Sequence, residues 1–518
     1  MADPASKARP VQVSWLLPPG LTINEACAAL VRSRPCHEEP SRSVSQTWLD
    51  SFDWRLHRRG WVLLHEASAS EFEFLELWTS ENAQPIRATA GLPSGPGDLS
   101  ASRLRETIAP VLGVRCLVAC ATAITTRRTL RVLNDDAKTV AWTHFEASTG
   151  LGGVTLGNRV RVVALRGYEQ AARDVDRWLA TGLGLEVTTG VMAEALAGAG
   201  RSAGDYSSKL NVALSPGMSI EAAVRKVLAH LLANVETNTD GARANLDPEF
   251  LHDIRVATRR ARSLLGEAGP YLADAGAAGA LRAELAWLGE VTGPTRDLDV
   301  WLVTLDEELA GSPPVQADLG ALREQIDIRR RAAYDQLVDQ LDSDRYRALR
   351  DLWASLASPD TPAGIRAGAA GAELVRRAHR RVLRRGSAIG ADSPDEALHD
   401  LRKAAKRLRY VLESFESLCP EAAFDQVIGE LKALQDNLGE FQDCSVQAAT
   451  LARLGSEPGT PPQALVAVGY LLAGLGARHT RARAEFADRF ARFSRPSARR
   501  MVDSLASSLE KTKEGSGK

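Results

Sequence analysis

Cysteine is scarce in this chain. The six in 518 residues (Cys27, Cys36, Cys116, Cys120, Cys419 and Cys444) form no CxxC pair and have no histidine at metal-ligand spacing. Neither a disulfide framework nor a zinc site is therefore supported, and a reducing cytoplasm fits best. Also missing is the roughly eighteen-residue apolar run that a membrane-spanning helix needs. The amino terminus, MADPASKARPVQVSWLL, has no sustained apolar stretch followed by a small-residue cleavage site, so the expectation is a soluble, non-exported protein with no membrane partner. Net charge is nearly absent too, with 64 Lys and Arg against 65 Asp and Glu. That argues against a protein that coats nucleic acid through a general positive field.

What positive charge there is becomes concentrated, twice. His252, Arg255, Arg259, Arg260 and Arg262 stand in LHDIRVATRRARSLL, and His399, Arg402, Lys406, Arg407 and Arg409 in LHDLRKAAKRLRYVL, 147 positions later. At 3.6 residues per turn, positions i, i+3, i+7 and i+10 share one arc, so each set predicts a cationic stripe roughly 15 Å long. Opposite it lie Ile254, Ala257, Ala261, Leu264 and Leu265, and in the second copy Leu401, Ala404, Ala405, Leu408 and Leu412. Each helix is packed on one side and cationic on the other. Like charges at these spacings repel by about 0.2–0.5 kcal/mol per pair, and no carboxylate is interleaved on the stripe to relieve them. A solvated charged face would explain one such run; two in register point to a polyanionic ligand. Lys403 adjoins the second stripe, where Val256 occupies the matching place in the first.

Along the chain, residues 10–200 read as mixed α and β, with strands expected at Trp61–His65, Leu130–Leu133 and Arg159–Leu165 and a helix at Tyr168–Leu183. Residues 201–218 have the Gly and Ser content of a connector. From Ser219 onward the periodicity is helical, with breaks at Asn245–Pro248, Gly293–Pro294, Ser312–Pro314, Pro359–Gly364, Gly386–Pro394 and Gly459–Pro462. The helical half is an internal duplication, residues 219–358 and 364–509. Leu288, Gly293, Asp297 and Val300 reappear as Leu434, Gly439, Asp443 and Val446, and Arg225 and Lys226 as Arg376 and Arg377. The fold class expected is α+β overall: an antiparallel β tunnel or barrel with helices, then an all-α domain (219–510) of two duplicated bundles facing each other about a pseudo-twofold axis.

The doubled H-x2-R-x3-[RK]-R-x-R pattern, followed by LGEVTGPTRDLDV and LQDNLGEFQDCSV, resembles the CHAD family over roughly Ser219 to Leu509. The resemblance implies two four-helix-like repeats that bind inorganic polyphosphate in a basic cavity, with association to polyphosphate granules. It makes His252, Arg255, Arg259, Arg260, Arg262, His399, Arg402, Lys403, Lys406, Arg407 and Arg409 the principal contacts. Further contacts are expected from Arg225, Lys226, Arg376, Arg377, Arg380 and Arg381. Guanidinium forks suit phosphate oxygens and keep their charge at any accessible pH.

The first half resembles a degenerate CYTH, or triphosphate-tunnel, domain through WLDSFDWRLHRRGWVLLHE (Trp48–Glu66) and GDYSSKL (Gly204–Leu210). That family's E-x-E-x-K strand is replaced here by Val11-Gln12-Val13-Ser14-Trp15, and a later strand reads Arg159-Val160-Arg161-Val162-Val163. Without carboxylates a divalent metal has no oxygen cage, so the reading is no catalytic residue, no metal and no cofactor. Arg55, Arg58, Arg59, Arg159 and Arg161 are remnants of an anion tunnel or plain surface. A metal-dependent triphosphatase is the alternative, and it would rest on Glu71, Glu73 and Glu76. A nucleic-acid scaffold is a third reading. It is disfavoured because Tyr410 is the only ring near either stripe.

Overall fold

The computed structural model describes residues 14–68, 72–79, 85–188, 190–215, 217–311, 315–358 and 364–511. Glu71, most of the Val11–Trp15 strand and most of the breaks expected at Ser312–Pro314 and Pro359–Gly364 lie outside these. The chain divides into two compact units, Met1–Ser207 and Ser208–Lys518.

The first unit is one curled antiparallel sheet with four helices. In chain order its elements are β1 (Ser14–Leu16), α1 (Ile23–Ser33), β2 (Cys36–Glu38), β3 (Arg42–Asp50), β4 (Val62–Ala67), β5 (Glu73–Trp78) and β6 (Ile86–Ala88). They continue with α2 (Arg103–Leu112), β7 (Val118–Leu133), β8 (Thr139–Gly150), β9 (Arg159–Ala164), α3 (Glu169–Gly182), β10 (Glu186–Thr188) and α4 (Val191–Gly198). The strand order is β10-β1-β9-β8-β7-β3-β4-β5-β6, with β2 also on β7. All three expected strands and the expected helix are present; Leu130–Leu133 proves to be only the end of the sixteen-residue β7.

Period-two alternation gives this sheet two chemically different faces. One carries Leu130, Val132, Phe145 and Val160, which pack with Leu30 of α1 and Val175 and Leu179 of α3. The register places Thr125 opposite Ser148, Arg127 opposite Glu146, Thr129 opposite His144 and His144 opposite Arg161 on the other face. At one end of that second face α4 lays Val191 and Leu196 against Trp48, Leu64, Ala121 and Ala123.

The second unit is all helix. Its first repeat holds α5 (Ile220–Arg243), α6 (Pro248–Ala268), α7 (Ala275–Val291), α8 (Gly293–Ala310), α9 (Gln316–Leu341) and α10 (Asp344–Ala357). Its second holds α11 (Ala367–Ser387), α12 (Asp395–Ser414), α13 (Glu421–Ser456), α14 (Pro462–Ser494) and α15 (Pro496–Lys511). The two repeats are thus larger than the four-helix units expected. They meet through a short antiparallel bridge: Ile220 N–H donates to Ile365 O at 2.8 Å and Ala367 N–H to Met218 O at 2.9 Å, with Ser219 opposite Arg366. α5 packs on α11 and α6 on α12, the pseudo-twofold pairing that duplication predicts.

One difference between the repeats is written in a single residue. Pro294 has no N–H to give to the turn before it, so the helix breaks at Thr292 and restarts as α8. The corresponding position of the second repeat is Glu440, and α13 runs unbroken for 36 residues.

Candidate anion-binding site

Asp247 starts α6 by accepting the Glu249 N–H at 2.9 Å, with Pro248 in the first turn, where a missing N–H costs nothing. Ile254, Ala257, Ala261, Leu264 and Leu265 are all buried, as are Leu401, Ala404, Ala405, Leu408 and Leu412 on α12. The apolar arcs dock the two helices, and the cationic arcs are carried to the same side. Two contacts tie them together. Arg260 of the first repeat and Arg409 of the second share the Glu413 carboxylate, at 3.0 and 2.7 Å. Lys406 lies close enough to Arg259 for that charge to act on it.

The cations fall into distinct groups. Arg255 is half-buried and donates Nη1 to Gly289 O and Thr292 Oγ1, both at 2.9 Å. It caps the carbonyl end of α7 where Pro294 ends that helix, a favourable place for positive charge. Burial, and then the neighbouring Arg259, push its pKa down to about 10. Burial, and then Arg402 and Arg259, push Lys406 down to about 8. Among the described residues Arg259, Arg262, Lys406 and Arg407 make no hydrogen bond or ion pair with a carboxylate. The Nε atoms of Arg255, Arg259 and Arg402 are buried without an acceptor. Such a donor can serve a further acceptor, although Nε atoms of Arg159, Arg243, Arg350 and Arg377, away from the stripes, are buried in the same way.

Elsewhere the expectation that no carboxylate relieves the stripe is corrected. Besides Glu413, Asp443 pairs with Arg402 at 3.0 Å and Asp400 with Lys403 at 3.5 Å. His399 Nδ1 meets Gln442 Oε1, and His252 is half-buried at the head of α6. The additional cations are engaged locally rather than added to the stripe. Arg225 pairs with Glu221 and Lys226 donates to Ala213 O. Arg376 binds Glu510, Arg380 binds Glu373, and Arg377 and Arg381 both bind Glu267. Between α6 and α7 a cavity of about 220 Å³ is lined by Arg255, Thr258, Arg259, Arg262, Gly289 and Glu290, among others.

The first unit holds the larger surprise. Carboxylates are present on the polar face of its sheet, at positions that the sequence reading passed over. Glu66 and Glu146 are buried, and Arg127 contacts both, with Nε 2.7 Å from Glu146. Arg161 adds a second contact to Glu146 at 3.3 Å, and Gln46 donates to Glu66 at 2.6 Å. Burial raises both carboxyls, but Arg127 and Arg161 together outweigh it and hold each below the usual carboxylate range. Burial, Arg161 and Arg127 drive His144 well below its ordinary value, so it is neutral.

Glu76 is also buried and pairs with Arg87, while Glu73 is exposed and contacts His65 at 3.0 Å. Glu73 and Glu76 are an odd number of residues apart, so they cannot share a strand face. Arg159 and Arg161 are interior, not surface. Arg55, Arg58 and Arg59 are not in the interior network: Arg55 pairs with Asp53, Arg58 donates to Tyr206 O and Arg59 lies over Trp61. Among the described residues no group of three or more His, Cys, Asp or Glu side chains could hold a metal ion.

A family model, the CHAD domain, matches residues 223–452. This chain carries a CHAD domain. Both stripes and the helices that carry them lie inside the matched segment. The uncharacterized protein Rv2226 of Mycobacterium tuberculosis is 31% identical over 208 residues, 38% of this chain. The chain spans 39% of the length of the curated relatives it matches. The crystal structure of the CHAD domain from the plant Ricinus communis is 26% identical, with a TM-score of 0.45, and the match covers 59% of this chain and 96% of that one. A Bacillus halodurans structure described as an adenylate cyclase candidate is 11% identical, with a TM-score of 0.25, over 33% of this chain and 88% of that one. Among the described residues no helix is long and apolar enough to cross a membrane.

Proposed function

We propose that the CHAD domain binds inorganic polyphosphate without chemical turnover, along the joined cation stripes of α6 and α12, and that this binding associates the protein with polyphosphate granules. One observation carries the reading: Arg259 of the first repeat and Lys406 of the second lie close enough for their charges to act on each other, and neither they nor Arg262 and Arg407 make an ion pair with a carboxylate among the described residues. Positive charges held together against their repulsion, with buried Nε donors lacking acceptors, are stabilised by a ligand that is anionic and rich in oxygen acceptors. A linear phosphate chain supplies both along the length of a stripe. Nucleic acid supplies the phosphates, but its bases find no stacking platform here.

The test is a competition titration of the full chain with long polyphosphate and single-stranded DNA, repeated with the double variant Arg259→Glu/Lys406→Glu. Polyphosphate is expected to bind more tightly than DNA and to weaken by about 100-fold or more in the variant, with helicity by circular dichroism unchanged. Binding should also fall with salt, with a log–log slope of roughly −3 if the four free cations are neutralised. Tighter binding of DNA, or a flat salt response, would refute the reading.

A further inference from the structure

The two repeats do not present their cations equally. In the second, Arg402 is held by Asp443 and Arg409 by Glu413. In the first, Arg255, Arg259 and Arg262 converge on the cavity between α6 and α7 with no carboxylate bonded to any of them among the described residues. We propose that this cavity is a pocket for a compact phosphate group, taking pyrophosphate, triphosphate or the end of a longer chain by itself, and that the second repeat adds contacts only to longer chains. This rests on the polyphosphate reading above and assigns its two halves different tasks.

Three features build the pocket. Its volume of about 220 Å³ far exceeds the ~10–15 Å³ that admits one water, and it opens to solvent on one side, so a compact anion fits within it and a longer one must extend beyond it. Its guanidiniums are positioned: Arg255 is anchored to the carbonyl end of α7, which fixes one charge in the wall, while the Nε atoms of Arg255 and Arg259 remain buried without acceptors. Gly289 leaves the facing wall bare, with the nearest atom to a Cβ there being Arg262 Nη1 at 3.8 Å. The break before Pro294 leaves the Gly289 carbonyl and the Thr292 hydroxyl to anchor Arg255. Glu440 and the unbroken α13 deny the second repeat that anchor, and Arg402 turns to Asp443 instead. Glu290, the carboxylate on the lining, is exposed, where solvent weakens its opposition to an anion.

The experiment is calorimetric titration of the full chain with pyrophosphate, tripolyphosphate and long polyphosphate, using the wild type, Arg262→Glu and Arg407→Glu. Both variants alter exposed side chains with no partner among the described residues, and circular dichroism checks their fold. Tripolyphosphate is expected to bind the wild type. Arg262→Glu should weaken both it and the long chain by about tenfold or more, while Arg407→Glu should leave tripolyphosphate within about twofold and weaken only the long chain. If the long chain binds and tripolyphosphate does not, or if the two variants affect tripolyphosphate equally, the pocket is refuted and the polyphosphate reading stands. If neither anion binds, both fall together.

Discussion

Arginine is used in opposite ways in the two units. On the polar face of the first unit's sheet Arg127 and Arg161 are buried and matched: Glu66 and Glu146 stand against them, and Gln46, Thr125 and Ser148 complete the hydrogen bonds. On α6 and α12 the cations outnumber the carboxylates within reach, and Arg259, Arg262, Lys406 and Arg407 make no ion pair with one among the described residues. The lesson is that the number of basic side chains does not make an anion site; the count of carboxylates within reach does. A matched interior holds a fold together and has no net charge to offer. An unmatched stripe is strained by its own repulsion, and a ligand removes that strain.

Breaking the match should have the largest effect. Glu146→Gln leaves Arg127 and Arg161 buried with one carboxylate fewer, and stripping one partner from a buried ion pair costs about 3–5 kcal/mol. Urea unfolding of this variant should show that loss, whereas Arg262→Gln should move stability by no more than about 0.5 kcal/mol. Equal effects would erase the distinction between the two populations. The same pairing has a pH signature. Glu66 and Glu146 titrate lower in the fold than unfolded, so their contribution is complete above the unfolded carboxylate range and is lost as pH falls through the folded values.

A second test sharpens the other side of the comparison. Lys406, pushed down to about 8 by burial and by Arg402 and Arg259, is neutral in the free protein where an unfolded lysine would still be charged. Between about pH 8 and the ordinary lysine value, the fold therefore gains stability with rising pH. A bound polyanion favours the charged form, so binding should take up a proton in this window, and affinity should decline by about tenfold per pH unit at most as pH rises above about 8. Calorimetry in buffers of different ionisation enthalpy reads the proton directly. Arg259→Gln should move the onset of uptake to higher pH. Its absence in the wild type would mean that Lys406 does not meet the ligand.

Much of this was legible in the chain itself, for reasons that differ by region. The stripes were readable because helical spacing is local: Arg255, Arg259 and Arg262 share an arc whatever lies elsewhere. The duplication was readable from offsets alone, and the break at Gly293–Pro294 from proline chemistry. Glu66 and Glu146 were not, because their meaning depends on β4, β3, β7 and β8 pairing in one register across 80 positions, and the strand TVAWTHFEASTG gives only a weak alternating pattern. Asp443 likewise reaches Arg402 only through the packing of α13 on α12. Glu413 is the instructive omission: it lies one helical turn beyond Arg409, the spacing at which a carboxylate relieves a cation, and that signal was in the sequence.

The smallest effect separates membership of the stripe from proximity to it. Lys403 adjoins the second stripe but is exposed, and its ammonium lies 3.5 Å from Asp400, which also holds Arg385 at 3.0 Å. Exposed pairs of this kind contribute about 0–1 kcal/mol, so Lys403→Ala should leave unfolding midpoints almost unchanged. If Lys403 stands outside the unmatched group, long-polyphosphate affinity should fall by less than about threefold, far below the effect of Arg262→Glu. A loss as large as that of Arg262→Glu would show that a polyanion draws cations away from exposed carboxylates. The boundary of the site would then be set by reach along the helix and not by which charges are already partnered.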